Sequence, residues 1–396
     1  MKYKNEIVII SIITILILFL KLINVFQIEN GLGYPFIIVL MIICFSLATI
    51  FIQKNIDKNY RKNKLNYQNL NILKYISSIL IIVLHLRPFL NFSNELDLAF
   101  NNIITRICVP IFFIITGYFV AKKEKENKNY IKEYIKKTIP LYFAWSLLYI
   151  PVIIGTIIQY LPIINEYISK INITLPLLII LSIILLPIIV LIALCYTGVY
   201  YHLWYFPALI VGVWITYYLV KKLGRKKTLI ATILLYIIGV FGDSYYGITI
   251  MNQITKNIYE LIFNIFDYTR NGLFYVPIFI CLGHIIKAGT RKTTKFDLLY
   301  ALLFFILMSV EGSILHYYNL QRHDSMYLFL LPLMYFLFCY LMDHSKTSNK
   351  KIRNIATYIY IFHPLFIVGI RFVSGIIGMD KIFVENNLIL YLLVCI

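Results

Sequence analysis

His85 closes the apolar run Ile79-Leu80-Ile81-Ile82-Val83-Leu84, and Lys74 lies eleven residues before it. Eleven helical steps of about 100° return to nearly the same face, about 16 Å away along the axis. One stripe of such a helix carries a cation toward one end and an imidazole toward the other. Imidazole is the side chain whose ordinary pKa suits proton transfer near neutral pH. Other groups that are expensive in apolar surroundings recur along the chain: Arg87, Arg106, His202 within Tyr201-His202-Leu203-Trp204-Tyr205, Arg270, Glu311 and His363. An ionisable group inside a membrane costs roughly 2.5–3.5 kcal/mol on insertion scales, so each needs a reason. Glu311, flanked by Ser309-Val310 and Gly312-Ser313, has no cheap alternative to pairing. Matching depth permits these groups to converge, but periodicity does not prove it.

Blander readings compete at most positions. Arg87, Arg106, Arg270 and Arg371 sit near helix ends and equally suit snorkelling to head groups. Trp204 and its tyrosines equally suit an interfacial belt. His363 before Pro364 suits helix packing, and Lys74 can snorkel to the inner surface. His284, His316, His323 and His344, at span ends or in loops, read as solvated. His85 and Glu311 resist such readings best.

The elements that must position these groups are membrane helices. Of 396 residues, 60% are hydrophobic and 14% charged, with a mean hydropathy of +0.80. That excludes a disordered chain and an ordinary soluble domain. Apolar runs near spanning length lie at 7–26, 34–52, 70–90, 103–121, 138–158, 173–194, 200–220, 273–287, 298–316, 327–343 and 355–373, with a shorter one at 228–241. The run from Leu388 stops at Ile396, so the chain reads as cut inside a helix. The expected fold is all-α. Two N-terminal spans (1–53) and a basic cytoplasmic linker (54–69) precede a core of about ten spans (70–396).

The formal net charge is +19, yet the cations fall mostly in short loops between apolar runs. That is the pattern of membrane orientation, and no nucleic-acid partner is expected. Loops 54–64, 122–137, 221–227, 287–295 and 346–353 are basic and read as cytoplasmic. Loops 91–102, 242–272, 317–326 and 374–387 read as external, which places the N-terminus inside. Three apolar runs separate two basic loops that belong on one side, so 173–194 is expected to be re-entrant or interfacial. The six cysteines lack C-x-x-C spacing, and no metal site is indicated. Walker, dinucleotide-binding and G-x-S-x-G motifs are missing from the sequence.

The run from Asn69-Leu70-Asn71-Ile72-Leu73-Lys74 to His85 resembles the opening helix of the acyltransferase 3 family, integral-membrane acyltransferases in which an Asp-x-x-Arg precedes an apolar helix ending in His. Arg106 through Phe119, with Pro110, Phe112, Phe113 and Gly117-Tyr118-Phe119, is similar to the family's Arg and PxFFxxSGYF element. Lys136-Lys137-Thr138-Ile139-Pro140-Leu141-Tyr142, His202-Leu203-Trp204-Tyr205 and Phe362-His363-Pro364-Leu365 also look like family elements. The likeness covers roughly 68–396. Asn71, Lys74 and Thr116 depart from the family's Asp, Arg and Ser, and lysine cannot reproduce an arginine fork.

A narrower likeness rests on His85-Leu86-Arg87-Pro88-Phe89, Tyr201 to Leu209, Thr269-Arg270-Asn271-Gly272 and Val384-Glu385-Asn386-Asn387. These segments resemble the membrane half of the membrane-bound serine racemases of vancomycin-resistance clusters. There a cytoplasmic racemase domain follows, and the membrane part is thought to supply L-serine.

The family resemblance implies a plasma-membrane enzyme. It would move an acyl group from cytoplasmic acyl-CoA to a hydroxyl of an extracytoplasmic small-molecule or glycan acceptor. His85, Glu311 and Arg106 would be catalytic, as base, orienting acid and oxyanion stabiliser. Lys74, Arg87, His202, Trp204, Arg270 and His363 would bind substrate, with no metal. The narrower likeness implies instead a permease-like domain supplying L-serine, with a fused C-terminal cytoplasmic domain beyond Ile396.

Overall fold

The computed structural model describes residues 68–395 except 171–174, 289–293, 295 and 344–349. The expected spans at 7–26 and 34–52 and the basic stretch 54–64 lie outside the described residues, as does His344. Regular structure among the described residues is entirely helical. Helix α1 is Gln68–Leu86, α2 Cys108–Glu124, α3 Tyr130–Leu148, α4 Ile150–Lys170, α5 Leu175–Ile192 and α6 Tyr205–Phe241. Later long helices are α7 Gln253–Phe266, α8 Val276–Ala288, α9 Phe296–Tyr317, α10 Leu330–Asp343, α11 Lys350–Ile377 and α12 Asn387–Cys395, with shorter helical turns between some of them.

Five helical segments are long and apolar enough to cross a membrane, or six if the pair Tyr130–Leu148 and Ile150–Ile158, bent by 41°, is one span. The expected core of about ten spans is therefore only partly matched among the described residues. Val276–Ala288 and Leu330–Met342 are apolar but short, and most of their side chains are buried in the bundle. The run expected to be re-entrant forms α5, which continues into a π turn, Ala193–Thr197.

Helix α6 is two helices in one. Gly224 breaks it with φ 72° and ψ 168°, a conformation open to glycine without a Cβ clash. The two halves meet α8 in opposite directions. In the first, Gly212 abuts Val276 and Tyr217 packs on His284. In the second, Gly239 abuts Phe274 while Tyr236 packs on Phe279. The halves are thus an antiparallel hairpin. Lys221, Lys222, Arg225, Lys226 and Lys227 cluster at its turn.

Helix α8 is the hub. A methyl group on Gly117 would collide with the Ile280 carbonyl, and one on Gly283 with the Ile114 carbonyl, so α2 and α8 touch backbone to backbone. Around them Phe113, Ile114, Phe279, Ile280 and Met334 are buried, while Ile183, Trp214, Phe366 and Phe372 remain exposed. An apolar inside with an equally apolar outside fits a lipid solvent. Helix α1 packs on α11, and α9 on α10.

Charged groups collect at the two ends. Lys122 and Lys125 lie within electrostatic reach of Lys287, and Lys125 and Arg225 of His284. Arg87, Arg106, Arg270 and Arg322 share a cavity at the other end.

Candidate active site

Helix α1 ends at its histidine because the chain turns there. Arg87 takes a left-handed φ of 48°, and Pro88 follows, so the helix has no means of continuing. The unusual backbone is held by the Arg87 side chain, which pairs with Asp97 at 2.5 Å. The Arg87 carbonyl in turn accepts from Asn387 Nδ2 at 3.2 Å. That ion pair raises the Arg87 pKa still further.

His85 lies inside a cluster of rings. Its imidazole stacks on His363, with centroids 5.3 Å apart and planes at 15°. It meets Tyr201 edge-on at 4.6 Å. His202 completes the group, 5.6 Å from His363. The three histidines come from α1, from the turn before α6 and from α11. His202 and His363 are 2% and 1% exposed. Tyr360 fixes the His202 backbone by donating to its carbonyl at 2.7 Å.

His363 Nδ1 sits 3.0 Å from the Ile359 carbonyl, so the neutral ring carries its proton there and leaves Nε2 as an acceptor. That Nε2 and both ring nitrogens of His202 are buried without a partner among the described residues. Buried polar atoms normally have partners, so unpartnered ones at the heart of a fold mark a place for chemistry. Among the described residues, no group of three or more His, Cys, Asp or Glu side chains is placed to hold a metal.

An arginine-lined cavity adjoins this cluster. Arg270 lies over the Trp204 ring at 4.8 Å, two residues beyond His202. Arg270 and Arg106 are both close enough to act electrostatically on His85. The cavity they line measures about 310 Å³. Arg106 Nε donates to the Asn102 carbonyl at 3.3 Å, and Arg322 stacks on Phe263 at 3.6 Å. Asp243 supplies the floor. Its Oδ1 accepts from the Ser325 and Met326 amides at 2.7 and 3.0 Å. Burial pushes the Asp243 pKa up to about 7, against the hydrogen bond from Ser325 and the field of Arg270.

Glu311 lies elsewhere. It is 0% exposed and accepts from Tyr245 Oη at 2.9 Å and from the Leu328 and Phe329 amides at 2.7 and 3.0 Å. Those amides open α10, where the first N–H groups lack helical partners. The carboxylate ties α9 to the start of α10, and none of its hydrogen bonds reaches His85. The orienting role expected of Glu311 has no counterpart in this geometry. Lys74 lies three turns back along α1 from His85, toward the other end of the helix. The structure thus brings together His85, His202, His363, Trp204, Arg270, Arg106 and Arg87, and leaves Glu311 and Lys74 outside the group.

Sequence reasoning missed members of the site. His323 read as solvated, yet it lines the cavity. His284, also read as solvated, is buried under Tyr217 at the lysine-rich end, outside the site. Burial, then the fields of Arg270 and Arg322, hold the His323 pKa below its ordinary value. Asp243 and Asn101 carried one available signal, polar side chains beside apolar runs. The Ser325 amide that meets Asp243, 82 residues away, was beyond any local pattern.

The match to the family model for an acyltransferase domain spans residues 67–396. This chain belongs to the acyltransferase 3 family. Family membership accounts for the helical architecture and makes the domain a membrane acyltransferase in general terms. Among curated proteins, an amino-acid racemase of Enterococcus faecalis is 33% identical over 83% of this chain and 44% of its own length. A serine/alanine racemase of Enterococcus gallinarum is 30% identical over 82% of this chain and 43% of its own length. The chain therefore spans less than half the length of these relatives. No solved structure matches.

Proposed function

We propose that this domain transfers an acyl group from acyl-CoA, presented at the lysine-rich cytoplasmic end, to a hydroxyl of an extracytoplasmic acceptor held near His85. The observation that carries this reading is the cluster of His85, His202 and His363, in which both His202 nitrogens and His363 Nε2 lack partners among the described residues, beside a cavity lined by arginine. His85 takes the hydroxyl proton as the acceptor oxygen attacks the thioester carbonyl. The new ester C–O bond forms, the C–S bond breaks, and the imidazolium returns the proton to the CoA thiolate. Arg106 or Arg270 stabilises the oxyanion that develops between those events. Lys125, Arg225 and Lys287 hold donor phosphates as charges at the opposite end. The stacked His363 and nearby Tyr201 replace Glu311 as the groups that orient the base.

The test is His85→Ala in membranes with a labelled acyl donor. The expected result is a chain that inserts normally and transfers nothing above background. Retained transfer would remove His85 from the mechanism.

A second reading is favoured by the relatives' names, since proteins twice this length are named racemases of amino acids. In it the domain passes a small polar solute such as L-serine inward through the same polar cluster. Solute uptake by vesicles without consumption of acyl-CoA would select it.

A further inference from the structure

We infer that the arginine cavity is a subsite for an oxyanion carried by the acceptor, so that the preferred acceptor has a carboxylate or phosphate beside its hydroxyl group. This rests on the acyl-transfer reading and names its substrate class. The argument begins with what the cavity's own groups leave unsatisfied. Arg87 is neutralised by Asp97. Arg106, Arg270 and Arg322 remain, facing Asp243 and Asp324. Asp324 is already engaged, accepting from Asn102 Nδ2 at 2.6 Å. Arg322 and Arg270 lie over the Phe263 and Trp204 rings, and neither has a carboxylate within ion-pair distance among the described residues. A guanidinium over an aromatic face still carries its planar fork of N–H donors, which suits a planar oxyanion.

The acceptor atoms are equally specific. Asp243 is 1% exposed and Asn101 8% exposed. Asp243 Oδ2 and Asn101 Oδ1 are both buried without a hydrogen-bond partner among the described residues. Both residues line the cavity. Orphaned buried acceptors cost free energy unless a donor reaches them. A ligand that satisfies the whole cavity must therefore bring an anionic group for the arginines and a hydroxyl donor for Asp243 and Asn101. A purely neutral polyol leaves the guanidinium groups unanswered, and a bare anion leaves the two acceptors unanswered. The cavity also adjoins the reaction centre, because Arg270 rests on Trp204 and both Arg106 and Arg270 act on His85.

The test uses the full chain in lipid nanodiscs, without acyl donor, and titrates D-glycerate, sn-glycerol 3-phosphate and glycerol. The anions should bind, and glycerol should bind at least about tenfold more weakly, as loss of a charge-assisted hydrogen bond requires. Whichever anion binds tighter identifies a carboxylate or a phosphate source. Arg270→Gln should erase the preference. Glycerol binding as tightly as the anions, or no binding of either anion, would overturn the proposal. The ligand comparison on the unaltered chain stands whether or not that variant folds. Because no acyl donor is present, failure of the His85 mechanism leaves this result intact. Loss of the anion preference leaves that mechanism intact.

Discussion

The lysine-rich and arginine-rich ends of the bundle use the same sign of charge in opposite ways. At the lysine end the charges are point-like and largely solvated. Lys123 pairs with Glu126 at 3.3 Å with both side chains more than half exposed. At the arginine end three of the four guanidinium groups sit against a particular side chain: Arg87 on Asp97, Arg270 over Trp204 and Arg322 over Phe263. Solvated lysines supply a field that orients a chain in a membrane. Clamped arginines supply directed donors, which is what recognition of a particular group needs.

The contrast can be broken most severely at its reactive edge. His85→Ala should lower acyl transfer by about 10²–10⁴-fold, the range attributed to a positioned base, as read by labelled-acyl incorporation at equal membrane insertion. Next comes Glu311→Ala, which leaves three buried donors unanswered and should cost about 3 kcal/mol or more of stability. A thermal melt in detergent checks it. Acyl transfer per folded molecule should be preserved, separating this carboxylate from the reactive cluster.

Arg270→Lys keeps the charge but removes the fork, and should weaken glycerate binding about tenfold, since charge-assisted bidentate contacts carry that much. Trp204→Leu removes the ring beneath Arg270 and should cost about 1 kcal/mol of the same binding free energy, seen in the same titration. Lys123→Gln discards a charge outright at the other end. Its melting temperature should barely move, because exposed ion pairs contribute about 0–1 kcal/mol. A large loss there would erase the distinction between the two ends.

Much of this arrangement was legible in the sequence. The apolar runs announced α1, α2, α9 and α11, and the run-breaking lysines around Gly224 separated the two halves of α6. His85 stood out because a titratable ring at the end of an isoleucine-rich helix is costly. Glu311 stood out for the same reason, and there the inference of pairing was sound while the partner was not foreseeable. Its partners are backbone amides seventeen and eighteen residues away, at a helix start, and backbone donors leave no mark on composition. Asp243 drew no attention because a single acid after an apolar run looks like an ordinary loop residue. Only the fold of 320–329 back onto 243–247 makes it the floor of a cavity.

Hydrophobicity and charge placement are sums over neighbouring residues, so the chain alone determined that it is a helical membrane domain with basic turns and rare polar intrusions. Which intrusions meet depends on how helices rotate and slide against one another. In this protein that is decided by contacts such as Gly117 on Ile280 and Gly283 on Ile114, where backbones touch and shape alone sets the register. Tertiary structure therefore chose His202 and His363 as companions for His85, and gave Glu311 a structural partner instead.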